Sequence, residues 1–239
     1  MLTLLFGFLL MFQQSPPLQT TATPHFIIRH DRNIPAKFVR ALSSALEKEL
    51  ERSQQSVGIT PARKIPVVVY TSELRYKSDS RSLSFNDADM KNGAIHLSYP
   101  ALKKDRDAWG NLLARVVTKA VISEVVFCPP WLVDAYALHA GGETKKFGDP
   151  ARVAIASFGD LFEEYNRAER PRDVKEAYAK LGFTIDFLLE RFGEAKVRSV
   201  FVLFRSGRAA EDIFTQTFGE PVGVTEAAWA AALRASARK

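Results

Sequence analysis

The sequence predicts an α+β fold, with an N-terminal mixed α/β part followed by a mainly helical C-terminal part. Three observations carry this. The runs that read as strands, residues 25–30, 64–70 and 93–99, all fall in the first hundred residues. Helical apolar spacing dominates after residue 105. No linker long or polar enough to separate the two parts interrupts the 239 residues, so they read as one domain.

The elements follow in order. Residues 1–12, MLTLLFGFLLMF, are apolar, and no charged residue precedes Arg29. A helix needs about 20 residues to span a bilayer, so a dozen has the length of a signal-peptide core instead. The positive residues that usually precede such a core are absent. A polar stretch containing Pro16 and Pro17 leads to Ala22, where small residues suit cleavage. The expected organisation is a signal peptide over 1–22 and a domain over 23–239. Localisation is then extracytoplasmic, secreted or periplasmic, with membrane contact only through residues 1–12 if they stay uncleaved.

Residues 25–30 read as a strand. Pro35 opens a helix to about Gln54, with Phe38, Leu42, Leu46 and Leu50 recurring every fourth position. Residues 64–70 are a β-branched run, and Pro66 assigns it to a strand start or a sheet edge. Residues 71–92 have no apolar period and read as a loop. Residues 93–99 alternate weakly, and His96 there reads as a satisfied or solvent-facing histidine. Asp105 or Asp107 caps a helix reaching about Phe127, and Pro129-Pro130 ends it. Further helices are expected over residues 131–140, 152–165, 173–192, 194–204 and 226–237.

Composition narrows the function classes. The charge of +6, from 33 Lys+Arg against 27 Asp+Glu, permits an anionic partner without requiring one. One cysteine, Cys128, excludes an intramolecular disulfide and a multi-cysteine metal site, and its apolar context reads as buried. No Gly-x-Ser-x-Gly elbow, Walker A loop or Gly-x-Gly-x-x-Gly is present. Lys103-Lys104 and Lys145-Lys146 are too short for a nucleic-acid stripe, so no nucleic-acid partner is expected.

The informative segment is residues 109–142. Arg115 and Lys119 stand at i and i+4 on one face of a mostly apolar helix. Like charges there repel mildly, and burial raises the cost unless each is paired. The nearest candidate partner in sequence is Asp134, on the next helix. A solvent-facing pair with snorkelling stems is the alternative.

This stretch resembles the peptidase-MA-like domain of bacterial proteins, related to the gluzincin zinc metallopeptidases. Those domains carry a helix of the form A-H-E-x-T-H followed by P-x-W-L-x-E-G-x-A. Here the helix reads Ala114-Arg115-Val116-Val117-Thr118-Lys119, and the continuation reads Pro129-Pro130-Trp131-Leu132-Val133-Asp134-Ala135-Tyr136-Ala137. Ala114, Thr118, Trp131 and Leu132 match the frame. The strands and helix of residues 25–72, the helix around residues 177–193, and Phe201–Gly207, Asp212–Phe218 and Trp229 extend the likeness over roughly residues 25–235. The resemblance implies a zincin-like metallopeptidase fold.

It also implies that the chemistry is lost. Arg115 and Lys119 stand where the zinc-binding histidines would be, Val116 where the general-base glutamate would be, and Asp134 where the third ligand would be. Zinc needs neutral imidazoles or anions as ligands, whereas arginine offers no lone pair and lysine would have to lose a proton. The degenerate motif therefore predicts no catalytic residue, metal or cofactor. A Lys119–Asp134 or Arg115–Asp134 ion pair would hold the two helices together, with Asn111 an extra polar neighbour. Asn111, Thr118 and Trp131 are the candidate cleft residues, facing a peptide or anionic extracytoplasmic ligand, with residues 93–99 as the edge strand beside it. The expected function is a catalytically inactive binding or structural module. The alternative is a hydrolase or peptidase with a non-standard site, such as a metal site using His139.

Overall fold

A computed structural model describes residues 18–80, 87–105, 109–125, 127–150 and 157–236. The protein is α+β, built on a small mixed sheet of five strands. The strands are β1 (Gln19–Ala22), β2 (Phe26–His30), β3 (Ile65–Tyr70), β4 (Ala88–Lys91) and β5 (Ala94–Ser98), in the order β1-β2-β3-β5-β4. The three central strands run parallel, and β1 and β4 flank them antiparallel.

The parallel connections need crossovers, which helices supply. Helix α1 (Ala36–Val57) joins β2 to β3, and α2 (Glu73–Ser80) follows β3. Leu42, Leu46 and Leu50 of α1 are buried as their spacing requires, and Gly58 ends the helix in the left-handed region that glycine tolerates best. One sheet face presents Phe26, Ile28, Val67, Val69, Ile95 and Leu97 to the core, in register across β2, β3 and β5. On the other face Tyr70 donates or accepts a 2.8 Å hydrogen bond with His96 Nδ1, so His96 is buried with a partner.

Helix α4 (Trp109–Ile122) packs against α1, β4 and the next helix, α5 (Pro130–Ala140). Between β5 and α4 lies the short α3 (Tyr99–Lys104). The C-terminal part is helical throughout: α6 (Phe158–Arg167), α7 (Pro171–Phe192), α8 (Glu194–Phe204), α9 (Ala210–Phe218) and α10 (Val222–Ser236). Its aromatic residues are core. Trp131 stacks on Phe158 with centroids 4.6 Å apart, and Trp229 donates its indole N–H to Thr184 at 3.0 Å. Cys128 is buried, as its apolar context requires.

Several expectations need correction. Residues 71–92 are not a plain loop, because α2 and β4 form there. α2 is polar and buries little apolar surface, and the four residues of β4 are too few to establish an alternation. Of the two places expected for Pro66, the strand start holds and the edge does not: it is second in β3, the middle strand, where a missing N–H interrupts least. Residues 93–99 are not the edge strand either, since β4 closes the sheet outside β5. Asp105 ends α3 rather than starting α4, and Asp107 lies outside the described residues. So do residues 1–17, on which most of the leader reading falls, and the expected start of the helix over 152–165. Gln19–Ala22, within the expected leader, form β1 and pair with β2. No helix among the described residues is long and apolar enough to cross a membrane.

Candidate functional site

The i, i+4 spacing on α4 sets Arg115 and Lys119 side by side, and the fold answers each separately. Lys119 Nζ lies 2.6 Å from Asp134 Oδ1 on α5 and 3.5 Å from Asp89 Oδ1 on β4. Arg115 Nε lies 2.7 Å from Glu143 Oε2, just beyond α5, and Nη2 donates to the Ala88 carbonyl at 2.8 Å. Glu143 also meets Lys146 Nζ at 2.6 Å. Among the described residues, three carboxylates thus face three cations, and the cluster is balanced. The Arg115 side chain is 4% exposed and that of Lys119 14%.

Two glycines position Glu143. A Cβ on Gly141 would lie 2.8 Å from the Asn111 carbonyl oxygen and 2.9 Å from Arg115 Cβ, so only glycine lets the end of α5 approach α4 this closely. A Cβ on Gly182, in the middle of α7, would run into the Thr144 backbone. The segment carrying Glu143 is therefore wedged between α4 and α7.

Burial alone would lower the pKa of the Lys119 ammonium, but Asp134 and Asp89 outweigh it and the net shift is upward. Arg115 is raised in the same way, with Glu143 as the main opposing charge. Both side chains stay charged through the neutral range. Tyr178 of α7 and Tyr165 of α6 line the same cluster. Burial first, then the charge of Asp134, pushes both phenols up, and they share a hydrogen bond. They remain neutral hydrogen-bonding groups.

The donor set does not fit zinc. Arg115 has no lone pair to give, and the Lys119 lone pair is held by a proton that two carboxylates stabilise. Asp134 is already bonded to that ammonium. Val116, where the resemblance would place a general base, is fully buried among apolar side chains and carries no proton acceptor. His139 lies against the Tyr136 ring, centroids 5.6 Å apart, and the Tyr136 hydroxyl bonds Ser56.

Of the two bridges considered from sequence, Lys119–Asp134 forms, while Arg115 turns to Glu143 instead. The candidate cleft residues separate. Thr118 is buried facing α1, its hydroxyl 2.8 Å from that of Ser53. Trp131 is packed on Phe158 and Phe214 in the core. Asn111 is exposed in the first turn of α4. Neither Thr118 nor Trp131 lines a cleft, because α4 and α5 use those faces for packing. Sequence reasoning missed Asp89, Glu143, Tyr165 and Tyr178. Glu143 carried one usable signal, an acid directly after the Gly141-Gly142 helix stop. Asp89 carried none, lying in a strand of four residues, too short to recognise.

A scan against family models finds no match, and comparisons with curated proteins and with solved structures find no significant match either.

Proposed function

We propose that this chain is a metallopeptidase-like domain whose metal centre has been replaced by ion pairs, and that it works as a non-catalytic structural or binding module. One observation carries the reading: the Lys119 ammonium bridges Asp134 and Asp89 at the motif position where a peptidase would hold its metal. A resident cation supplied by the chain ties α4, α5 and β4 together and needs no exchangeable ion. The strand–helix–strand order of β2, α1 and β3, with β4 antiparallel beside β5, is consistent with a zincin-like fold. The apolar run of residues 1–12 supports work outside the cytoplasm.

The pairing favours a structural role over anion capture at this cluster. An anionic ligand would have to displace Asp134, Asp89 or Glu143 from Arg115 and Lys119. A peptide or anionic ligand, if the module binds one, is therefore expected on another surface. The test is hydrolysis of an unfolded protein substrate such as casein by the zinc-loaded protein. No cleavage above background is expected. Cleavage abolished by Asp134→Ala would overturn the reading and favour a hydrolase with a non-standard site.

A further inference from the structure

Strand β4 is last in the sheet, so one side of its backbone faces away from β5. In an antiparallel pair, residues alternate between turning N–H and C=O toward the partner and turning both outward. Ser98 N–H donates to the Asp87 carbonyl at 2.9 Å, and Ala88 and Met90 lie opposite Leu97 and Ile95. Asp87, Asp89 and Lys91 therefore bond toward β5, while Ala88 and Met90 turn their backbone groups outward. Such a row is a template on which another strand can add.

Two of those four outward groups already have partners inside the chain. The Ala88 carbonyl accepts from Arg115 Nη2 at 2.8 Å, and the Met90 N–H donates to Asp89 Oδ1 at 2.8 Å. An incoming antiparallel strand would pair with Ala88 through both its groups and with Met90 through both its groups. It would lose one bond at each. The two capping side chains are themselves held, Arg115 by Glu143 and Asp89 by Lys119.

We propose that the charge cluster caps the free edge of the sheet, and that it keeps a second copy of this chain from pairing its own β4 there. These contacts cap the edge whether or not the chain descends from a peptidase.

The test uses three variants of the full chain. Asp89→Ala removes the acceptor of the Met90 N–H while Lys119 keeps Asp134. Asp89→Asn keeps an oxygen there but no charge. In the double variant, Arg115→Lys is added to Asp89→Ala, which keeps a cation for Glu143 but loses the fork that reaches Ala88. Exchange of the Met90 amide should quicken about 3- to 10-fold in Asp89→Ala and stay near wild type in Asp89→Asn. The folded double variant should sediment with a higher average mass than wild type at the same concentration. Equal loss of Met90 protection in Asp89→Ala and Asp89→Asn would overturn the cap, as would a folded double variant that sediments like wild type at every concentration. The two single variants decide the matter if the double variant does not fold.

Discussion

Lys119 Nζ and Asp134 Oδ1 meet at 2.6 Å across the α4–α5 contact, with Asp89 completing the ammonium's surroundings from the sheet edge. The three groups come from a helix, a second helix and a strand, so one cation joins three elements. Breaking one side of a buried pair leaves an uncompensated charge, which costs roughly 3–5 kcal/mol, whereas removing both sides together can be neutral.

Asp134→Asn should therefore destabilise the protein by roughly 3 kcal/mol, near the low end because Asp89 still faces the ammonium. In a domain of this size that is a fall of about 6–12 °C in Tm. Lys119→Met combined with Asp134→Leu and Asp89→Asn, which leaves no charge of the bridge unpaired, should recover most of the loss. Thermal unfolding of the three proteins at neutral pH checks both statements, and an unchanged Tm in Asp134→Asn would mean the bridge carries no stability.

The wedge that positions Glu143 predicts an inversion of helix propensity. Alanine normally favours a helix interior over glycine by about 1 kcal/mol. At Gly182 the added methyl meets the Thr144 backbone, and at Gly141 it meets the Asn111 carbonyl, so neither neighbour can rotate away. Gly182→Ala and Gly141→Ala should each destabilise by about 2–3 kcal/mol. Gly223→Ala, in α10 with open space around the new methyl, should be neutral or slightly stabilising. Denaturant midpoints give the order directly.

Acid should loosen the turn between β1 and β2. Partial burial pushes the Glu47 carboxyl up from its ordinary 4.5, but hydrogen bonds from Thr23 and His25 outweigh this and hold it lower. A depressed folded pKa stabilises above the unfolded value and is lost as pH falls through the folded one. Glu47→Gln should lower Tm by about 2 °C at neutral pH, and its difference from wild type should shrink as pH falls below 4.5. Lys119 runs the other way: its raised pKa keeps its contribution complete below 10.5, so the bridge to Asp134 should be insensitive to pH across the neutral range.

Cys128 should be inert in the native protein. Burial pushes its thiol up to about 12, and the side chain is nearly inaccessible. An aromatic disulfide reagent at mildly alkaline pH should label it only after denaturation. Rapid stoichiometric labelling of the folded protein would contradict this.

Much of the framework was legible in the sequence, and the reasons are specific. Leu42, Leu46 and Leu50 declared α1, Val67 and Val69 declared β3, and the spacing of Arg115, Lys119 and Asp134 exposed a charged contact between helices. What stayed hidden depended on tertiary position. Four residues, only Ala88 and Met90 of them apolar, are too few to announce an edge strand, so β4 and Asp89 passed for loop. Arg115 had no sequence neighbour to identify Glu143 as its partner, because the choice is made by the close approach that Gly141 and Gly182 permit. Thr118 and Trp131 matched the motif frame yet face α1 and the helical core, since a motif fixes spacing and not the side that a residue presents.

The most direct test of the account is the zinc content of the purified protein, measured by elemental mass spectrometry after zinc loading and buffer exchange. Well below one equivalent is expected, unchanged by Asp134→Ala, because the Lys119 ammonium already holds that carboxylate. One equivalent of zinc, lost on Asp134→Ala, would contradict it and would mean that Asp134 serves a metal rather than a lysine.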